Sequence, residues 1–404
     1  MSEYTELLNY EAETLSSVDD EYEKKLMQVA ELFRGFDEAF TDFITEYGYS
    51  GDVTDVSAKA RFVTERFKVA RIKPPRNIDK WFVPVKKLER KTVFQLCFAF
   101  GLDVEKTNDF FRRVRFERSF DCHTVSEAVY YFCMRNRLSY PDAQEIIDSI
   151  RIPESVKTIP ERDVLYTGTI IDYINSIDDT KKLIRYIEDN ADDFRYNNAT
   201  AVSFIQELWK IIAADDGLAV REGALIDRIN QSENVSDDYV VVGKGDGTWT
   251  IFSQIIGLSV SQKDAYKSGR SLTSVLSDNK LMPLRADYCF PNRQNIEKLV
   301  RGELVADHEI IRKILILLVF YKYWAALGIG SDVAFYRAKI TDCKKCLDNI
   351  NNYLLDSGYL ELYEGNPYDW IFMWALNDDY PLSAFRAYMG EVFSFKEEQA
   401  ETVH

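Results

Sequence analysis

The apolar residues of this chain return every three or four positions over most of its length, and residues that would interrupt that rhythm are scarce. In LMQVAELFRGFDEAFTDFI, the side chains of Leu26, Val29, Phe33, Phe36, Phe40 and Phe43 fall on one helical stripe. The spacing recurs in VSAKARFVTERFKVARI, TVSEAVYYFCMRN and ATAVSFIQELWKII. Only 18 Gly and 10 Pro in 404 residues leave little material for the turns of a β architecture, whereas 24 Tyr and 25 Phe supply rings for a packed interior. The expectation is an all-α protein, a multi-helix bundle. One stretch departs from the rhythm: YVVVGKGDGTWTIF (239–252) sets β-branched residues on both sides of Gly245-Asp246-Gly247, which predicts a small hairpin. Its glycines do not have phosphate-loop spacing.

A second feature bears on organisation. NIDKWFVPVKKLERKTVFQLCFAF (77–100) and NIEKLVRGELVADHEIIRKILILLVF (295–320) follow the same plan. Aligning NIDK with NIEK sets Arg90-Lys91 opposite Arg312-Lys313 after a four-residue insertion, then Leu96 opposite Leu318 and Phe98 opposite Phe320. Tyr140-Pro141 corresponds to Tyr380-Pro381, each preceded by an aromatic helix, SEAVYYFCM or YDWIFMWAL. The pattern predicts two pseudo-repeated helical units joined by a helical bridge. The segments are 1–58 (acidic helices), 59–150 (basic unit), 151–275 (bridge), 276–393 (second unit) and 394–404 (flexible tail). A Thr124-x-x-Glu127 capping box is expected to open the helix at 124–136.

Charge separates the segments further. The formal net charge is −16, yet residues 1–58 hold 15 acids against 3 bases while residues 59–118 hold 17 bases against 7 acids. Such a swing means that the basic segment packs on the acidic one, faces an anionic partner, or is a solvated face.

The run Ile78-Asp79-Lys80-Trp81-Phe82, Leu88-Glu89-Arg90 and TVFQLCFAFGL resembles the second half of a repressor-type helix-turn-helix domain, where a recognition helix precedes an apolar helix with a Leu-Gly-like stop. TNDFFRRVRFERSF and SEAVYYFCMRNRLSYPDAQEII are similar to a helical extension found in bacterial proteins. The resemblance covers residues 60–150, with a fainter echo over 276–393, and Pro74-Pro75 stand where the turn before the recognition helix falls. It implies DNA binding, often in transcription control or mobile elements, and no catalysis. The residues expected to meet nucleic acid, DNA before RNA, are Lys73, Arg76, Lys80, Lys86, Lys87, Arg90, Arg112, Arg113 and Arg115. Trp81 is either a buried staple or a stacking surface. The alternative is a protein-interaction module of a phage-defence or mobile-element system.

Catalytic constellations are thin. The chain has no HExxH, GxSxG, P-loop or dinucleotide fingerprint and three histidines in all, so a non-enzymatic protein without cofactor or metal is expected. Cys343-Lys344-Lys345-Cys346 has half of a zinc spacing and no second half. Cys122-His123 reads as a core pair, and Asp215-Asp216 and Asp378-Asp379 as turn residues. Six scattered cysteines and an acidic opening without a signal-like pattern point to reduced thiols in a cytoplasmic protein. ILILLVFYKYWAALGIG (314–330) is too short and too interrupted to span a bilayer, so no membrane partner is expected.

Overall fold

The structure is a computed structural model that describes residues 35–83, 88–115, 117–151, 167–194, 198–233, 239–260, 263, 293–301 and 308–389. The expected stripe before residue 35, Lys86, Lys87 and the tail at 394–404 lie outside the described residues. The fold is all-α, and no strand occurs among the described residues. Two compact units form, one from Arg34–Thr200 with Leu355–Leu360, the other containing Ala201–Leu354 and Glu361–His404. The stretch expected as a bridge therefore divides: its described helices up to residue 189 pack with the first unit, and those beyond residue 201 with the second.

The first unit runs α1 (Phe36–Glu46), α2 (Val56–Val69), a 3₁₀ turn (Ile78–Phe82), α3 (Arg90–Ala99), α4 (Val104–Phe110) continued by a π-turn (Phe111–Arg115), α5 (Val125–Arg135), α6 (Tyr140–Ser149), α7 (Thr167–Ser176) and α8 (Thr180–Asp189). Local signals open and close these helices. Asp55 caps α2 by accepting from the Ala58 amide at 2.9 Å, and Asp103 caps α4 from Lys106 at 2.9 Å. Ser139 and Asp142 form a reciprocal capping box with Pro141 in the first turn of α6. The Thr124-Glu127 box does not form: Thr124 makes no side-chain cap bond, because Glu127 is drawn to the guanidinium of Arg90. Gly101 closes α3 at φ +66°, with the Leu102 amide reaching back to Cys97 O. Arg71 closes α2 by the same device at φ 59°, with Ile72 N–H on Phe67 O. The core is aromatic: Phe40 sits 5.1 Å from Phe82 and 6.0 Å from Trp81, while Phe94 is within 5.3 Å of Phe111, Phe120 and Tyr130.

The second unit contains α9 (Ala199–Ala213, entered from the first unit), α10 (Leu218–Glu233), α11 (Thr248–Ile255), α12 (Arg293–Val300), α13 (His308–Gly330), α14 (Ile340–Asp356), α15 (Pro367–Ala375) and a helical run over 381–389. Helix α13 is its axle, buried from Ile311 to Tyr321 without interruption. It packs on α10, where Glu222 accepts from Tyr321 (2.8 Å), Gln254 (3.0 Å) and both terminal nitrogens of Arg386 (2.9 and 3.1 Å). Gly257 lies at φ +72°, and a Cβ there would meet Arg386 Cγ at 2.5 Å, so glycine is required twice over.

The hairpin expected over 239–252 is replaced by a turn at Gly243–Asp246 and helix α11. Trp249, Phe252 and Ile255 recur every third residue and are buried together, and that burial overrides the β preference of the flanking valines and threonines. A lone antiparallel bridge, Tyr239 to Ser259, is what remains of the pairing.

Candidate nucleic-acid interface

The basic segment folds into two populations, sorted by helical phase. On α2, Lys59 and Arg66 are seven residues apart and face inward. Lys59 Nζ donates to Thr41 Oγ1 at 3.1 Å and stands over the Phe82 ring; Arg66 donates to Tyr47 O at 2.8 Å. Arg61 and Lys68, also seven apart, point to solvent. Past the helix end, Arg71, Lys73, Arg76 and Lys80 are all exposed. Between 68 and 80 the chain thus presents five exposed bases with Asp79 as the one acid in the stretch. Beneath them Ile72, Ile78, Trp81 and Phe82 are buried, which anchors the strip to the core. Trp81 is a staple between Phe40 and Phe67, at 6.0 and 6.2 Å.

Three of the expected site residues, Lys73, Arg76 and Lys80, belong to this strip. Arg113 is exposed as well, 3.9 Å from Asp109 on its own helix, and Arg112 is half-buried beside it. Arg90 and Arg115 have another use. Arg90 makes a two-point pair with Glu127 (2.9 and 2.8 Å) and donates to Arg118 O and Ser119 O, each at 2.7 Å. Burial alone would lower its proton affinity, but Glu127, Glu117 and Asp121 more than offset that and hold it above the ordinary arginine range. Arg115 is buried on Glu117 (2.9 Å) and Leu88 O (3.1 Å). Neither guanidinium can reach a phosphate without breaking internal ion pairs, so both are corrected from contact residues to structural ones. Arg61, Lys68 and Arg71 are exposed cations outside the set expected from the sequence. The seven-residue phase that separates Arg61 and Lys68 from Lys59 and Arg66 was the signal that could have found the first two.

Nucleophilic chemistry has no support from the Cys122-His123 pair, since both are fully buried. His123 Nδ1 lies 2.6 Å from Asp193 O and must carry the proton, because a carbonyl only accepts. Burial pulls the imidazole below its ordinary value of 6.5 and pushes the Cys122 thiol well up, so a thiolate-imidazolium pair is disfavoured on both sides. Asp379 pairs with Arg337 at 2.7 Å and Asp378 accepts from the Tyr380 amide, as turn residues do. No group of three or more metal-ligating side chains occurs among the described residues, and Cys97, Cys122, Cys133, Cys343 and Cys346 are free.

No family model matches the chain, and neither a curated protein nor a solved structure matches it. The geometry therefore carries the functional reading by itself. Among the described residues no helix is long and apolar enough to cross a membrane, and α13 is an interior helix of the second unit.

Proposed function

We propose that the first unit binds nucleic acid, DNA in the first place, through phosphate contacts at Lys68, Arg71, Lys73, Arg76 and Lys80. The observation that carries this reading is the exposed strip itself: five cations in thirteen residues, on a protein of net charge −16, fixed to a buried aromatic floor. A solvated face chosen for solubility would not need to gather positive charge on an acidic molecule. The strip also lies at the end of α2, where Arg66 and Lys68 complement the negative end of the helix dipole, so the cations favour the fold as well as the ligand.

The contact is with the backbone of the ligand. The 3₁₀ turn that stands in the place of a recognition helix is five residues long, and Ile78, Trp81 and Phe82 are buried, which leaves Asp79 and Lys80 to face outward. Phosphate contacts fix position without reading sequence. The test is a fluorescence-anisotropy titration with labelled DNA at low salt. The wild type should bind, and the Arg71→Glu, Lys73→Glu, Arg76→Glu triple variant should lose at least about a hundredfold in affinity. Reversal at Arg113 should change little. Equal binding by the wild type and the triple variant, or none by either, refutes the proposal.

A further inference from the structure

We infer that the form of nucleic acid preferred by the 68–80 strip is the duplex over the single strand, because the strip offers charge and no ring on which an unpaired base could stack. The inference rests on the reading above and adds the strand state to it.

Proteins that hold single strands combine a cationic track with exposed aromatic side chains, and each stacked base contributes a large share of the affinity. Every ring described between residues 35 and 151 is buried or half-buried, and Tyr173, the exposed ring among the described residues of the first unit, is already stacked on Tyr186 at 4.0 Å. The four half-buried ones are already engaged with other rings. Phe36 stacks on Phe40 at 5.5 Å, Tyr47 tilts against Phe43 at 4.5 Å, Phe62 meets Tyr49 at 5.5 Å and Phe98 meets Tyr130 at 5.7 Å. The aromatics nearest the cations in sequence, Phe67, Trp81 and Phe82, form the floor of the strip and are buried beneath it. The large apolar side chain exposed among the cations is Val69, 81 % accessible, which has no π-face.

A duplex makes no demand for stacking on the protein, since its bases already stack on one another. It also carries about one charge per 1.7 Å of axis, about twice the density of one strand, so a short cationic array finds more phosphates within reach. The array is stiff enough to use them. Arg71 is locked in the left-handed region at φ 59° by the closure of α2, Pro74-Pro75 restrict the connector, and Asn77 at φ 61° turns it into the buried 3₁₀ turn. Little chain entropy is then lost when a rigid ligand docks.

The experiment uses the full chain with three labelled probes: a DNA duplex and each of its separated strands, titrated by anisotropy over a salt series. The duplex is expected to bind about tenfold or more tighter than either strand. Its log affinity should fall with log salt with a slope no steeper than about −4.5, the limit for five phosphates. A Val69→Trp variant sets a ring among the cations at an exposed position and should narrow the gap by strengthening single-strand binding. Tighter or equal binding of a single strand by the wild type overturns the duplex preference and leaves nucleic-acid binding standing. A Val69→Trp variant that keeps the full gap overturns the stacking argument. Absence of binding to all three probes removes the underlying reading together with this one.

Discussion

The two units contain the same arginine–carboxylate pair in different settings. In the first, Arg90 at the start of α3 pairs through two nitrogens with Glu127 in the first turn of α5, and the Asp121 amide, six residues before that carboxylate, donates to it at 2.6 Å. In the second, Arg312 near the start of α13 pairs through two nitrogens with Asp369 in the first turn of α15, at 2.6 and 2.7 Å. The Tyr363 amide, again six residues earlier, donates to it at 3.0 Å. The ring eight residues after each arginine meets the ring three residues after each carboxylate: Phe98 on Tyr130 at 5.7 Å, Phe320 on Phe372 at 5.2 Å. What differs is the surroundings. Lys91 is exposed, while its counterpart Lys313 is buried over the Tyr368 ring at 4.9 Å; α3 has ten residues and α13 has twenty-three. Ahead of α3 lies the exposed cationic strip, whereas ahead of α13 Arg301 is held near Glu297. The arginine pair is part of how each unit is built, while the charge on the surface ahead of it differs between the two.

Removing one partner of such a pair strands a charge, and the loss should scale with burial. Asp369→Asn should therefore have the largest effect, about 3–5 kcal/mol in denaturant unfolding, since the side chains of Arg312 and Asp369 are 6 % and 1 % exposed. Glu127→Gln should cost less, about 2 kcal/mol, because Arg90 is 20 % exposed and keeps two carbonyl acceptors. The reverse order would mean that burial does not set the cost of breaking the pair. A smaller effect is expected at His123, which belongs to the first unit alone. Its folded value lies below 6.5, so between the two values the unfolded chain binds the extra proton. Its contribution to stability is complete above pH 6.5 and is lost as pH falls toward the folded value. His123→Asn, which can keep a donor toward Asp193 O, should flatten that part of the stability profile between pH 7 and pH 5, measured as a difference from wild type; an unchanged profile would assign the pH dependence to other groups. Least of all, Glu65→Gln should leave stability within about 0.5 kcal/mol, since the Lys68 pair is exposed on both sides, while strengthening DNA binding about twofold in the anisotropy titration. A weaker affinity instead would remove Lys68 from the strip.

Much of the fold was legible because it is set locally. The stripes of α1 and α2, the cap at Asp103 and the stop at Gly101 are each decided within a few residues. The candidate site was legible in part: Lys73, Arg76 and Lys80, named from the basic segment and the resemblance, are exposed in the connector after α2. Two failures share one cause. The valines before Gly243 and the threonines of α11 carry strand preferences, yet burial of Trp249, Phe252 and Ile255 against distant residues made a helix. Arg90 looked like any other base of the segment, yet its partner lies 37 residues away.

By itself the sequence determined that this is a helical protein and that positive charge is gathered in one segment of an acidic chain, because periodicity and composition are local or additive properties. Only the tertiary structure decided which cations face water and which face carboxylates. That choice depends on what each side chain meets across the core, and an arginine is electrostatically the same residue in either setting until its neighbours arrive.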